Sequence, residues 1–302
     1  MSVSCPIELS GVRKSFGKRL VVDELELNVP TGEIFGLLGH NGAGKSTTIG
    51  MMLGQVWADA GKIRLFGYDI VTERQKALRQ IGAIFESPVF YDYLSGWRNL
   101  EIFSHYTCAT PASRIKEVVD WVGLSGRESS LVRTYSHGMR ARLALAQALL
   151  PNPRLLILDE PSDGLDPEGI HEMRETILRL QRELGLTILL SSHLLNEVEQ
   201  LCSRIAVMNR GRKVFEGSMD QTRVNNCWVR LQTKDFADAA KRLLQAGLIQ
   251  QERDGQFILP VAKVETSQIV EFLVSQKIPV QEIAMAEHTL EAFYLSLMKK
   301  NN

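Results

Sequence analysis

GHNGAGKST, the segment from Gly39 to Thr47, is the stretch that decides the fold of this chain. It fits the pattern G-x-x-x-x-G-K-[ST], which ends here on Gly44, Lys45 and Ser46. Residues 33–38 precede it and predict a buried strand, and a helix-like run follows it. Glycines let the backbone approach an anion closely, and a helix N-terminus directs N–H groups and a positive dipole at it. The context therefore predicts a phosphate-binding loop rather than an ordinary glycine-rich turn.

Two residues of this loop have predicted chemical roles. Lys45 should reach the β- and γ-phosphates of a bound nucleotide, and the hydroxyl of Ser46 should ligate Mg²⁺. The other positions of the expected nucleotide-binding segment are Gly39, His40, Asn41, Gly42, Ala43, Gly44 and Thr47.

Two adjacent carboxylates, Asp159 and Glu160, follow a second apolar run from Leu155 to Leu158. Asp159 can hold Mg²⁺, and Glu160 can orient a water in line with the γ-phosphate and accept its proton. Positioning and electrostatic stabilisation dominate such a reaction, because its transition state spreads charge over the γ-phosphoryl oxygens. The competing interpretation of Glu160 is a solvated loop acid. In that case its carboxylate would lie outside a site that otherwise holds every group needed for hydrolysis.

Two further segments are candidates for phosphate contacts. His193 follows Ser191-Ser192 after a predicted strand, Leu186 to Leu190, and residues at the carboxyl ends of parallel strands face the ligand crevice. Its alternative is a structural histidine satisfied within the core. Ser136 and Gly138 open a predicted helix, and a serine and a glycine at a helix N-terminus make a second anion site.

The order of these motifs resembles the ATP-binding subunit of ABC transporters, and the match covers roughly residues 7–217. The resemblance implies an α/β P-loop NTPase core of the ABC type, with an inserted helical subdomain at about residues 87–150. The expected ATP-binding domain is residues 1–218, and a small C-terminal α+β domain takes residues 219–302. In that part, strand and helix patterns alternate at residues 227–233, 236–246, 256–261, 266–276 and 279–284, before a helix at residues 288–298. This alternation is compatible with a ferredoxin-like fold.

The resemblance also implies a role for each motif residue. Phe16 would stack on the adenine of ATP, and Glu86 would stand at the Q-loop position. Ser46, Glu86 and Asp159 would be the ligands of Mg²⁺. The remaining positions are Ser136, His137 and Gly138 in the signature motif, Glu160 as general base, Asp166 in the D-loop and His193 as the switch histidine.

Two positions depart from the usual sequence of the family, which has glutamine at Glu86 and LSGGQ where Tyr135 to Met139 read YSHGM. A carboxylate at Glu86 can still ligate Mg²⁺ or hold its water, although it adds negative charge near the triphosphate. The signature keeps its serine hydroxyl and one glycine. Both replacements and the loop SPVFYDYLSG resemble the sequences of one subfamily. Its members serve drug and peptide-antibiotic export, bacterial resistance or immunity, and some multi-subunit membrane complexes.

The signature motif also implies a dimer. By this resemblance, Ser136 and Gly138 of one chain would cap the γ-phosphate bound to another, so closure of the dimer would depend on the ligand. The expected partners are a second copy or a related subunit, together with integral membrane permease subunits. The segment from Pro88 to Leu94 is unusually aromatic for a loop and is either a docking surface or packed inside the subdomain.

The composition disfavours several other functions. Lys plus Arg and Asp plus Glu both number 35, so the net charge gives no support to nucleic acid as a partner. The cysteines, Cys5, Cys108, Cys202 and Cys227, lie far apart, which argues against a metal site or a disulfide framework. The chain has no apolar signal core and no run of bilayer length. We therefore expect a cytoplasmic protein, peripheral at the inner face of the membrane where a permease holds it.

The main alternative is a soluble ABC ATPase that drives assembly of a non-transport complex, as the iron–sulfur assembly ATPase of this superfamily does. The catalytic residues do not separate the two functions, but the aromatic segment and the C-terminal tail favour transport. DNA-repair or chromosome ATPases are disfavoured because no long heptad run interrupts the chain. A translation-factor ATPase would normally carry two P-loop domains. The expected function is an ATPase subunit that, as a dimer, powers a separate permease for export.

Overall fold

The computed structural model describes residues 5–86, 88–107, 110–222, 228–261, 264–285 and 289–300. Four positions that enter the sequence-based predictions lie outside these ranges: Ser87, Cys108, Cys227 and His288. The chain divides into two compact units, Met1–Met219 with Tyr294–Asn302, and Asp220–Phe293. This division groups the C-terminal end of the chain with the first unit, whereas the sequence-based domains place it with the second.

A central sheet of the first unit positions the residues of the candidate site. Its strands are β3 (Ile34–Leu38), β6 (Ile81–Ile84), β7 (Leu155–Asp159), β8 (Thr187–Ser192), β9 (Arg204–Asn209) and β10 (Arg212–Ser218). The strand order is β10-β9-β3-β8-β7-β6, parallel except for β10 against β9. Every residue of β3, β7 and β8 is buried, as continuous apolar runs predict for parallel strands covered on both faces. The residues that follow these strands therefore meet at one edge of the sheet.

A second, antiparallel sheet belongs to the same unit. Its strands are β1 (Ile7–Phe16), β2 (Arg19–Val29), β4 (Ala60–Leu65) and β5 (Tyr68–Asp69), in the order β2-β1-β4-β5. The inward residues of β1 and β2, such as Leu9 and Leu25, share one buried core with Phe35 and Ile49 of the central layer. This packing holds the turn after Phe16 next to the loop that follows β3.

The helices of the first unit confirm the predicted insertion. They are α1 (Lys45–Met52), α2 (Arg74–Leu78), α3 (Gly96–Thr107), α4 (Ala112–Trp121), α5 (His137–Leu149), α6 (Pro167–Leu184) and α7 (Leu195–Leu201), with a 3₁₀ turn at Val132–Thr134. Because α3, α4 and α5 all lie between β6 and β7 in the chain, they form the inserted helical subdomain. No helix in the described ranges is both long enough and apolar enough to cross a bilayer.

The second unit has the strand and helix order of a ferredoxin-like fold, with which the sequence pattern is compatible. Its elements are β11 (Val229–Thr233), α9 (Phe236–Gln245), β12 (Ile249–Arg253), β13 (Phe257–Pro260), α10 (Thr266–Ser275) and β14 (Val280–Met285). The short α8 (Met219–Thr222) precedes them, and α11 (Leu290–Lys300) follows them, with its residues from Tyr294 onward in the first unit. The antiparallel sheet has the order β12-β13-β11-β14. The strand patterns of the sequence omit β12, because only Ile249 of this edge strand is buried and its other residues are exposed and polar.

Candidate functional site

The loop between β3 and α1 has a geometry that its glycines make possible. Gly44 precedes α1 with a φ of 106°, a left-handed conformation, and a Cβ there would lie 2.8 Å from the main-chain oxygen of Val21. Gly42 has a φ of 82°. The N–H of Ala43 donates to the carbonyl of His40 at 3.0 Å, which closes a turn in the loop. The pattern that predicted a phosphate-binding loop is therefore tied to backbone conformations that other residues would strain.

Lys45 begins α1 and turns its ammonium group back along this loop. The side chain is buried, with 5% of its surface exposed, and Nζ donates to the carbonyl of Gly39 at 2.8 Å. Nζ also lies 3.2 Å from Oε1 of Glu160. A single buried ammonium thus joins the loop after β3 to the carboxylate that follows β7.

Asp159 and Ser46 lie together, as a shared Mg²⁺ site requires. Oδ1 of Asp159 accepts hydrogen bonds from the hydroxyl of Ser46, at 3.3 Å, and from the hydroxyl of Ser191. Glu86 lines the same cavity as Ser46 and Asp159. Hydroxyl and carboxylate oxygens are the ligands that Mg²⁺ takes in proteins, so this donor set fits the ion. Ser191 is absent from the site residues predicted from the sequence, although it belongs to the serine pair at the end of β8.

Glu160 and His193 are held against each other. Oε2 of Glu160 accepts from the main-chain N–H of His193 at 3.2 Å and lies 2.8 Å from Nδ1 of the ring. The main-chain N–H of Glu160 donates to the carbonyl of Ser191 at 3.2 Å and lies 3.1 Å from its hydroxyl. The structure therefore links the general base candidate with the switch histidine candidate, and Glu160 is not an isolated loop acid.

A cavity of about 590 Å³ joins these groups to the predicted adenine-stacking residue. Its lining residues are Phe16, Arg19, Val21, Asn41, Gly42, Gly44, Lys45, Ser46, Thr47, Glu160, Asp163 and His193. Phe16 is 52% exposed, and the ammonium of Lys14 lies 5.3 Å from its ring centroid. An exposed aromatic ring together with a cationic loop suits a nucleotide, whose base can stack while its phosphates meet positive charge. Arg19 also lines the cavity, although the sequence motifs gave no reason to select it.

A second cavity of about 570 Å³ adjoins the same carboxylates. Glu86 lines it from one side, and His137 and Arg140 of α5 line it from another. Glu86 follows β6 with a φ of 59°, a left-handed conformation that is uncommon for a residue with a side chain. The structure thus brings the Q-loop position and one signature residue to the edge of the sheet where Asp159 and Glu160 lie.

The other signature and D-loop residues have structural contacts of their own. Ser136 caps α5, and its hydroxyl oxygen accepts from the N–H of Met139 at 3.2 Å. Asp166 caps α6 in the same manner and accepts from the N–H of Gly169 at 2.9 Å. Among the described residues, Ser136, Gly138 and Asp166 line neither of the two cavities. Neither of these two cavities therefore brings Ser136, Gly138 or Asp166 together with Lys45.

The aromatic segment at residues 88–94 was predicted to be either a docking surface or packed inside the subdomain, and its side chains differ in their burial. Phe90 is 8% exposed, and its ring packs edge-on against Phe103 of α3 with the centroids 6.0 Å apart. Val89 and Tyr93 are 84% and 70% exposed. Part of the segment is therefore packed inside the subdomain, and part presents apolar surface.

Tyr294 of α11 is a neighbour of the loop that sequence reasoning missed. Its phenolic oxygen accepts a hydrogen bond from the main-chain N–H of His40, and burial raises the pKa of the phenol. His40 thereby has both main-chain groups paired, since its carbonyl accepts from Ala43. No local pattern signals a contact between positions so distant in the chain.

Comparisons with known proteins agree with this geometry. The family model described as ABC transporter matches residues 22–163. The uncharacterized ABC transporter ATP-binding protein YhcH of Bacillus subtilis (strain 168) is 40% identical over 96% of this chain and 95% of its own. The bacitracin transport ATP-binding protein BcrA of Bacillus licheniformis is 36% identical over 98% of both chains.

A solved structure shares the fold of the larger unit. It is cbiO1 from Clostridium perfringens, part of the ABC transporter complex cbiONQ. The TM-score is 0.66 and the identity 26%, over 72% of this chain and 90% of that one. With the relatives above, this likeness confirms the predicted fold class and family. The chain belongs to the ABC transporter ATP-binding proteins, nucleotide-binding subunits that hydrolyse ATP to power a separate permease.

Proposed function

We propose that this chain hydrolyses MgATP in composite sites shared by two copies, and that the cycle drives export through a separate membrane permease. The observation that carries the proposal is one series of contacts. Lys45 lies 3.2 Å from Glu160, and Glu160 lies 2.8 Å from the ring of His193. These three groups line one cavity with the phosphate-binding loop. That arrangement supports the assignment of a phosphate ligand, a proton acceptor and a γ-phosphate contact to one place.

Each residue of the series has one proposed task. The loop N–H groups and Lys45 bind the β- and γ-phosphates, and Phe16 stacks on the adenine. Glu160 orients the attacking water and accepts its proton, and His193 holds Glu160 in place and contacts the γ-phosphate.

The proposed Mg²⁺ ligands are Ser46 and Asp159, with Glu86 as a further ligand or a partner of a bound water. The hydrogen bond of 3.3 Å between the Ser46 hydroxyl and Asp159 supports this assignment, because one ion could contact two oxygens that lie so close together. When bound, the ion would neutralise charge on the β- and γ-phosphoryl oxygens.

The second copy supplies what one chain lacks. We assign the cap on the γ-phosphate to Ser136 and Gly138 of the other copy, with His137 and the D-loop residue Asp166 at the same interface. Ser136 stands at the N-terminus of α5, where main-chain N–H groups and the helix dipole favour an anion. Among the described residues, Ser136 lines neither of the two cavities next to Lys45, which supports a role in a neighbouring site.

The proposed partner is an integral membrane permease, which would hold the chain at the inner face of the cell membrane. Similarity to BcrA supports transport, since that relative is named a bacitracin transport ATP-binding protein and matches over 98% of both chains. The direction is supported by a relative named Nod factor export ATP-binding protein I, of Rhizobium sp. (strain N33), which is 41% identical over 70% of both chains. We therefore propose a drug or peptide antibiotic as the class of cargo. A nucleic acid is not proposed as a partner, because Lys plus Arg and Asp plus Glu are balanced at 35 each.

Purification from detergent-solubilised membranes tests the permease partner and its docking surface. An affinity-tagged chain should retain an integral membrane protein, and replacing Val89 and Tyr93 by serine should reduce its recovery, because both side chains present apolar surface. Basal ATP hydrolysis should not change. Tyr106→Ser is the matched control, since this tyrosine is 82% exposed on α3 of the same subdomain. Recovery only from membrane-free cytosol, with a soluble partner, would instead establish the assembly ATPase.

A further inference from the structure

Glu197 of α7 is a buried carboxylate that the proposed mechanism does not use. It is 5% exposed, and both of its oxygens accept hydrogen bonds from serine hydroxyls. Ser162 donates to Oε1, and Ser192 donates to Oε2 at 2.9 Å. Burial of a charged group costs free energy unless hydrogen bonds compensate for it. The Glu197 carboxylate therefore depends on the two serine hydroxyls.

The two serines belong to the two segments that carry the catalytic candidates. Ser162 lies in the turn that begins at Glu160, which the N–H of Asp163 closes by donating to the carbonyl of Glu160 at 3.0 Å. Ser192 directly precedes His193, and its hydroxyl oxygen accepts from the main-chain N–H of Leu194 at 3.0 Å. Glu197 therefore joins the turn after β7 to the segment after β8.

Glu160 needs such support because its backbone is strained. Its φ is 48°, in the left-handed region, which a residue with a side chain seldom adopts. Strained conformations of this kind persist where surrounding contacts hold them, and they concentrate at functional sites. The contacts of Glu160 with Ser191 hold the start of the turn, and the Ser162–Glu197 hydrogen bond holds its next part.

We propose that Glu197 is a positioning residue, which holds the carboxylate of Glu160 against His193 through Ser162 and Ser192. This inference rests on the proposed role of Glu160 as general base. Among the described residues, the hydrogen bonds of Glu197 reach neither the phosphate-binding loop nor Lys45. Loss of Glu197 should therefore slow the hydrolytic step and leave nucleotide binding largely as it was.

Steady-state kinetics of the full chain test the proposal. Glu197→Ala should lower kcat roughly tenfold or more, because small displacements of a reacting group are costly, while KM for MgATP changes by no more than about twofold. Glu197→Gln should retain part of the rate, since its amide can still pair with a serine hydroxyl. Glu175→Gln is the matched control, because this glutamate of α6 has 56% of its side chain exposed.

A double-mutant cycle separates positioning from general stability. If Glu197 acts through Ser162, the Ser162→Ala/Glu197→Ala double variant should be no slower than Glu197→Ala alone. In a Glu160→Gln background, Glu197→Ala should have no further effect on the residual rate. If Glu197→Ala does not fold, Ser192→Ala carries the same test, because it removes only a hydroxyl.

Three outcomes would overturn the proposal. They are a wild-type kcat for Glu197→Ala, a change confined to KM, and additive effects of the Ser162 and Glu197 substitutions. Failure of the underlying function has a different signature: Glu160→Gln itself would then hydrolyse ATP normally. An inactive Glu160→Gln beside a fully active Glu197→Ala would refute only the positioning role.

Discussion

Lys45→Ala is expected to abolish ATP hydrolysis and to weaken ATP binding severely. The ammonium of Lys45 is the buried positive group of the phosphate-binding loop, held at 2.8 Å from the carbonyl of Gly39. Its loss removes positive charge from the γ-phosphate and leaves the nearby Glu160 carboxylate to repel it. We expect kcat/KM to fall by roughly 100-fold or more. Turnover at saturating MgATP and binding of a fluorescent ATP analogue measure both effects.

A matched lysine controls for charge and folding in this experiment. Lys76 is 65% exposed on α2 and pairs only with its neighbour Glu73 at 3.0 Å among the ion pairs of the described residues. Lys76→Ala should therefore keep wild-type turnover. Unchanged turnover in a folded Lys45→Ala protein would contradict the assignment of the phosphate-binding loop.

Glu160→Gln should keep ATP binding and lose hydrolysis. The amide has nearly the shape of the carboxylate and can hold a water, but it cannot take the proton of that water. We expect kcat to fall by about 100- to 10,000-fold. ATP affinity should not fall, because the substitution removes a negative charge 3.2 Å from Lys45. Size-exclusion chromatography with MgATP should then show a dimer that the wild type passes through only transiently.

Glu175→Gln provides the control for this result as well, because it makes the same chemical change on an exposed helix face. It should hydrolyse ATP at the wild-type rate and show no trapped dimer. Full hydrolysis by Glu160→Gln would place the general base elsewhere. Loss of both ATP binding and hydrolysis would indicate that Glu160 acts mainly by holding Lys45.

Local sequence signals were sufficient to predict the strand–loop–helix around residues 39–47 and the strand that ends at Asp159. Gly42 and Gly44 have left-handed backbone, and a Cβ on Gly39 would lie 2.7 Å from the main-chain oxygen of Met208. The apolar run before Asp159 becomes a fully buried strand. Both features depend on neighbouring residues in the chain. The helix predicted to begin at Ser136 and Gly138 is likewise present as α5, with Ser136 as its cap.

Contacts between distant segments were not predictable in this way. Glu197 meets Ser162 across 35 positions, and Tyr294 meets His40 across most of the chain. Neither residue carries a local pattern, since an acid on a helix and a tyrosine near a C-terminus usually face solvent or pack in a core. The edge strand β12 was also missed, because its outward residues are polar and only Ile249 signals burial. These features depend on the assembled tertiary fold.

Mixing two inactive variants tests the central claim of composite sites most directly. Ser136→Arg should block the signature contact, and Lys45→Ala should block the phosphate-binding loop, so each variant alone should be inactive. Heterodimers formed by subunit exchange contain one intact site, with its loop from the Ser136→Arg chain and its signature from the Lys45→Ala chain. Partial ATPase activity should return on mixing, together with ATP-dependent dimerisation. Wild-type turnover and normal ATP-dependent closure of Ser136→Arg alone would show that Ser136 is only a helix cap and would contradict the composite site.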